Sequence, residues 1–236
     1  MRKIFFYECR RLLCNKFFLG LLLVILFYGW QVLNRVTIFG IAHTAPYSPW
    51  SFGDYLSRML PLLWMGALFF LTFFTSRAEA RRAVLTAATP VKPFIYGMVR
   101  CAAALLGTLV IAGVVVALAL VFYGRMFQWY DWRSLLLPSL ITLVPPLVFA
   151  LGSGWALGRF RSCLLYLWML FPVVWIALPL PDSFGLVAGS TFAERPLALN
   201  TLDPAFSLSQ ETIICQCALF FAGTALLFLH PKNRCS

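Results

Sequence analysis

The chain has 236 residues, of which 61% are hydrophobic, 17% aromatic and 11% charged, whereas a soluble domain is roughly half apolar and about a quarter charged. With a mean hydropathy of +0.86, too little polar surface remains to cover even one globule in water, which excludes an autonomous soluble domain and marks a membrane protein. The net charge of +11, from 19 Lys and Arg against 8 Asp and Glu, follows from membrane topology and does not require a nucleic-acid partner.

Residues 1–16 carry Arg2, Lys3, Arg10, Arg11 and Lys16. On a helical wheel Phe5, Phe6, Cys9, Leu12 and Leu13 gather on one face while Lys3, Glu8, Arg11 and Asn15 lie away from it. That pattern predicts an amphipathic interfacial helix resting on anionic headgroups. The apolar run that follows is of span length and has no small-residue cleavage site, so it is read as a span and not as a signal peptide.

Residues 17–236 are expected to form one transmembrane domain. Six apolar runs, Phe17 to Leu33, Met59 to Thr75, Cys101 to Tyr123, Leu135 to Leu157, Ser162 to Leu180 and Thr212 to Leu229, can each cross about 30 Å of hydrocarbon, the shorter ones with local thinning. With the N-terminus inside, 14 basic residues fall on inner segments and five, Arg35, Arg58, Arg125, Arg133 and Arg195, on outer ones. This asymmetry predicts cytoplasmic termini at both ends of the chain. The expected fold class is an all-α polytopic membrane protein with six transmembrane helices and an N-terminal amphipathic helix. Outer loops are expected at 34–58, 124–134 and 181–211. The longest inner segment is expected at 76–100, and within it a short helix over 77–88 ends at Thr89-Pro90. Arg159-Phe160-Arg161 reads as a minimal inner turn, and Ser207 with Gln210 resembles a capping box opening the sixth span.

The chemistry is sparse. All eight carboxylates fall outside the predicted hydrocarbon spans, which argues against a proton-coupled carrier or an intramembrane enzyme, since both need a titratable or metal-binding group at depth. Arg58 and Arg100 stand at span ends, where long side chains snorkel. No G-x-x-x-x-G-K-[ST] loop occurs, so no nucleotide or other cofactor is expected on this chain. The seven cysteines include no C-x-x-C pair, and the two histidines, His43 and His230, are distant from them in sequence; neither a metal site nor a disulfide framework is expected. Gly154 and Gly158 form a G-x-x-x-G pair suited to close helix packing. Pro145, Pro146 and Pro172 interrupt spans either as static kinks or as a hinge. The polar side chains expected at depth, Thr72, Thr108, Thr142, Ser153 and Thr224, are mild and suit an amphipathic or lipid-like cargo better than an ion.

The run from Glu79 through Arg81, Arg82, Val84, Leu85 and Thr89-Pro90, restarting into a helix that reaches Arg100, resembles the inner loop of the ABC type-2 transporter permeases. In that family an acid after the second span is followed by a short leucine-rich helix, a Thr-Pro or Ser-Pro step and a base opening the third span. Arg81-Arg82 stand where a Gly-Thr pair is often found, and Val99 where a glycine is common. The resemblance implies a half-transporter that pairs with a second permease, identical or homologous, and with separate ABC ATPase subunits that carry ATP and Mg. It also implies a multi-pass protein of the plasma membrane, here read as bacterial, that exports or extracts a lipid-like or peptide substrate by alternating access and hydrolyses no ATP itself. Independently of the family, a polytopic chain with neither an intramembrane titratable group nor a nucleotide site needs an energy source docked on it. The inner segment is the largest platform for one, with Val84 and Leu85 entering a partner's groove and Arg81 and Arg82 on its rim. The alternatives from other classes are a non-transporting scaffold or sensor subunit and an ion-coupled carrier or intramembrane enzyme.

Overall fold

A computed structural model describes residues 2–41, 44–75, 93–177, 187, 189–199, 201 and 203–228. Among the described residues the regular elements are all helical: α1 (Arg2–Leu13), α2 (Lys16–Arg35), a 3₁₀ turn (Thr37–Phe39), α3 (Pro49–Thr75), α4 (Pro93–Phe127), α5 (Arg133–Phe160), α6 (Ser162–Ala177), α7 (Ser190–Leu199) and α8 (Gln210–Phe228). Five stretches, Lys16–Phe39, Pro49–Phe74, Ile95–Phe127, Arg133–Phe160 and Gln210–Phe228, are long and apolar enough to cross a membrane, and a shorter apolar helix covers Cys163–Val174. The chain is therefore a multi-pass membrane protein.

Local chemistry explains where the helices start. Asn15 Oδ1 accepts from the Phe17 amide at 3.2 Å and caps α2. Ser48 Oγ accepts from the Ser51 amide at 3.2 Å, with Pro49 in the first helical position, where its missing N–H costs no helix bond. This start corrects the outer loop expected at 34–58: residues 49–58 are helical and continuous with α3. Hydropathy stops counting at Asp54 and Arg58, but the backbone ladder does not, because these two side chains neutralise one another one turn apart at 2.6 Å. Similarly, α4 begins at Pro93, well before Cys101, and runs to Phe127, so only residues 128–132 of the expected 124–134 loop connect helices. Part of the 181–211 segment is the helix α7. Ser209, and not Ser207, caps α8, for the Thr212 amide donates to Ser209 Oγ at 3.2 Å.

Side-chain contacts set the directions of the helices. The Tyr55 hydroxyl of α3 donates to the Val115 carbonyl of α4 at 3.2 Å, and at the other end of the pair Phe74 lies under the Arg100 guanidinium; α3 and α4 are antiparallel. Trp64 meets Phe149, and a Cβ on Gly154 would touch Leu68 and Leu71, so α3 and α5 are parallel. Gly223 of α8 lies against Val148, Phe149 and Gly152, and Leu219 shares a cavity wall with Pro146 and Phe149, so α8 is parallel to α5. In α6, Leu165 approaches Gly154 and the Trp168 indole donates to Ser153 Oγ at 2.8 Å, which sets α6 antiparallel to α5.

The core runs between α3, α4 and α5. Trp64, Phe149, Trp168 and Phe171 form an aromatic cluster within it. The outward faces of α2 and α8 stay apolar, with Phe27, Leu23, Ile214 and Phe221 each about two-thirds exposed. Such a belt is stable only against lipid or another apolar surface.

Candidate functional site

Charged side chains are held at both ends of the α3–α4 pair, about 30 Å apart along α3 at 1.5 Å per residue. At the end where α4 begins, Glu8 of α1 is buried. Its Oε1 accepts from the Tyr96 hydroxyl at 2.9 Å, and the Tyr96 oxygen accepts from Arg100 Nη2 at 2.9 Å. Arg100 Nε stands 3.8 Å from the same carboxylate oxygen, and the guanidinium lies 4.3 Å over the Tyr96 ring. Arg11 Nη1 reaches Glu8 Oε2 at 3.4 Å. One carboxylate thus bridges two guanidinium groups and a phenol, joining α1 to the first turns of α4.

The helical wheel places Glu8 on the polar side of α1, whereas the fold buries it with Cys9 and Leu12 against α4. Its partners on α4 offset the desolvation that an unpaired carboxylate would suffer there. Burial pushes the neighbouring Cys9 thiol above its ordinary range, and the Glu8 charge pushes it the same way.

At the opposite end of α3 lies a groove of about 670 Å³ between α2, α3 and the segment that leads into α7. Arg58 Nε pairs with Asp54 Oδ2 at 2.6 Å; the Asp54 side chain is 4% exposed and that of Arg58 47%. The Ser57 hydroxyl donates to the Asp54 carbonyl at 2.8 Å. Among the described residues, Asp54 Oδ1 and the terminal Nη groups of Arg58 have no hydrogen-bond partner. Pro61 has no N–H to offer the Ser57 carbonyl four residues earlier, so α3 lacks one helix bond at this level. Gly189 closes this end: its φ is +87°, and a Cβ there would stand 2.7 Å from Ser57 Oγ. Beyond Arg58 the lining turns apolar, through Pro61, Leu62 and Met65 of α3, with Val24 and Tyr28 of α2.

Of the residues singled out from sequence, Glu79, Arg81, Arg82, Val84, Leu85, Thr89 and Pro90 lie outside the described residues. Pro145 and Pro146 are inside α5 and Pro172 inside α6. Pro146 and Pro172 meet Pro61 of α3 and Trp64 around one small cavity of about 20 Å³, so the proline positions of three helices converge. Gly154 packs against the Leu68 and Leu71 side chains, while Gly158 is half-buried near the end of α5. The tightest backbone approach is at Gly152, where a Cβ would collide with the Gly223 carbonyl of α8.

Sequence reasoning passed over both ion-pair clusters. The i, i+4 spacing of Asp54 and Arg58 was the available signal for one. For the other it was the solitary acid, Glu8, among five basic residues in positions 1–16. Among the described residues no three His, Cys, Asp or Glu side chains gather as metal ligands. No protein-family model, curated protein or solved structure matches the chain.

Proposed function

We propose that this chain is the permease subunit of an ATP-binding-cassette transporter of a bacterial plasma membrane. In this reading it has six spans with both termini inside, works with a second permease chain, and is driven by separate ATPase subunits that bind ATP and Mg. Substrate moves outward along the groove end of the bundle. The directions of α3, α5 and α8 support the sixth crossing: α5 and α8 run the same way, so the chain between Phe160 and Gln210 has to return across the bundle, and α6 starts back in that direction.

The observation that carries the reading is the Glu8–Tyr96–Arg100 junction. Residues 76–92 join the end of α3 to the start of α4 in the chain. The first turns of α4 are tied to α1 through Tyr96 and Arg100, and Arg100 also covers Phe74 at the end of α3. A displacement imposed on residues 76–92 by a docked partner is therefore delivered to two antiparallel helices at once. One of them, α3, carries Asp54 and Arg58 at its far end. In this reading α3 carries the movement from one end of the bundle to the other, with Pro61 as the point where it can bend.

Co-purification of an ATPase with the affinity-tagged chain tests this proposal, with Leu85→Asp as the decisive variant. An aspartate at position 85 places an unpaired charge in the apolar contact, at a cost of several kcal/mol, so assembly is lost while membrane insertion persists. Recovery of the ATPase at wild-type yield with Leu85→Asp removes the coupling role of residues 76–92.

A further inference from the structure

We infer that the groove at Asp54 and Arg58 is a binding site for a zwitterionic amphiphile: Arg58 takes an anionic oxygen of the head, Asp54 takes its ammonium, and the chain lies along Pro61, Leu62 and Met65.

The charge arrangement selects the head. Guanidinium and carboxylate stand side by side at 2.6 Å, so the site is neutral as a whole. A purely anionic head drawn to Arg58 also meets the Asp54 charge within a few ångströms, in surroundings where water screens poorly. A head with both signs satisfies both groups. The unused valences fit this assignment, since Arg58 retains its terminal Nη donors while Asp54 Oδ1 is an acceptor. An ammonium has donors only, and a phosphate or carboxylate presents acceptors.

The shape selects the tail. Asp54 and Arg58 stand in the first three turns of α3, toward one end of the apolar stretch Pro49–Phe74, within reach of the level where headgroups meet hydrocarbon. From Arg58 to Met65 the groove follows α3 for about 10 Å, with Leu62 and Met65 only partly buried. A volume of about 670 Å³ takes a head and the first part of a chain but leaves the remainder among the surrounding lipids. A free head without a chain leaves this apolar length unfilled.

The purified full-length chain in detergent is titrated with phosphatidylethanolamine, with phosphatidylglycerol and with free phosphoethanolamine, and bound molecules are counted by native mass spectrometry. Wild type is expected to retain phosphatidylethanolamine about tenfold better than phosphatidylglycerol, the effect of one charge-assisted contact, and free phosphoethanolamine is expected not to compete. Asp54→Asn leaves the Arg58 charge unopposed and turns the preference toward phosphatidylglycerol. Equal retention of the two lipids by wild type, an unchanged preference in Asp54→Asn, or competition by the free head at lipid concentrations overturns the assignment. If Asp54→Asn cannot be purified, Leu62→Trp decides: it fills the apolar length, and unchanged phosphatidylethanolamine retention overturns the site. That this amphiphile is the transported substrate rests on the permease reading, and the two fail separately. Lipid selectivity without an ATPase partner leaves the site and removes the transporter; an ATPase partner without lipid selectivity does the reverse.

Discussion

Glu8 and Tyr96, 88 residues apart in the chain, share a hydrogen bond of 2.9 Å between a buried carboxylate and a phenol. Through it the first helix of the protein becomes part of the α3–α4 body. Removing the hydroxyl in Tyr96→Phe is expected to cost about 1–3 kcal/mol, as for other hydrogen bonds to a charged group. Glu8→Ala leaves Arg100 close to Tyr96 but without its carboxylate and is expected to cost more, about 3 kcal/mol. In a double-mutant cycle followed by thermal melting of the purified protein, the two changes are expected to be less than additive. Strict additivity would show that the carboxylate and the phenol act independently.

The contact between α5 and α8 gives a second prediction. A Cβ at Gly152 would collide with the Gly223 carbonyl, and one at Gly223 would press on the Phe149 backbone. Backbone cannot swing aside as a side chain does, so Gly152→Ala has to separate the helices, at about 1–3 kcal/mol. Gly20 and Gly113 have nothing within 4 Å of a Cβ. Alanine at those two positions is expected to be neutral or stabilising by up to about 1 kcal/mol, because it only reduces backbone freedom within a helix. Melting temperatures of the three single variants are the measurement, and a neutral Gly152→Ala would contradict the close approach.

Thiol reactivity distinguishes the buried face of α1 from the turn that follows it. Cys9 is buried and Cys14 exposed, and burial with the adjacent Glu8 charge raises the Cys9 thiol. Since the thiolate is the nucleophile, a raised value means less reactive thiol near neutral pH. In single-cysteine variants Cys14 is expected to be alkylated readily and Cys9 slowly, with the Cys9 rate still climbing as the pH goes above the ordinary thiol range. Mass spectrometry of the alkylated protein follows both. Equal rates would mean that α1 does not pack on α4 in the membrane.

Sidedness can be read from the two exposed connections. Phe160, at the end of α5, is 77% exposed, and Tyr130, between α4 and α5, is 63% exposed. In a cysteine-free background, cysteine at position 160 is expected to react with an impermeant reagent only from the cytoplasmic side, and cysteine at position 130 only from outside. External labelling at position 160 would sink the proposed orientation.

Hydropathy is a sum over neighbours in the chain, which is why the membrane class and the helical character of the apolar runs were legible before any fold was known. Pro145, Pro146 and Pro172 could be placed inside helices in the same way, since a proline's effect on its own helix is local. That Pro146 and Pro172 face Pro61 across one cavity could not, for it depends on the depth at which three helices stand against each other. The helix limit was misjudged where charges lie, at 49–58, because a charge ends an apolar window whether or not a partner compensates it, whereas the restart into a helix reaching Arg100 was legible from the prolines that precede it. The amino-acid sequence determined which residues are apolar, which are charged and how far each helix is able to run. Only the tertiary structure decided that Glu8 turns inward to Tyr96 and Arg100, that Asp54 and Arg58 border a groove, and that Gly152 meets the backbone of Gly223. Each of these is a relation between separate helices, set by register and by the partner that each buried charge requires.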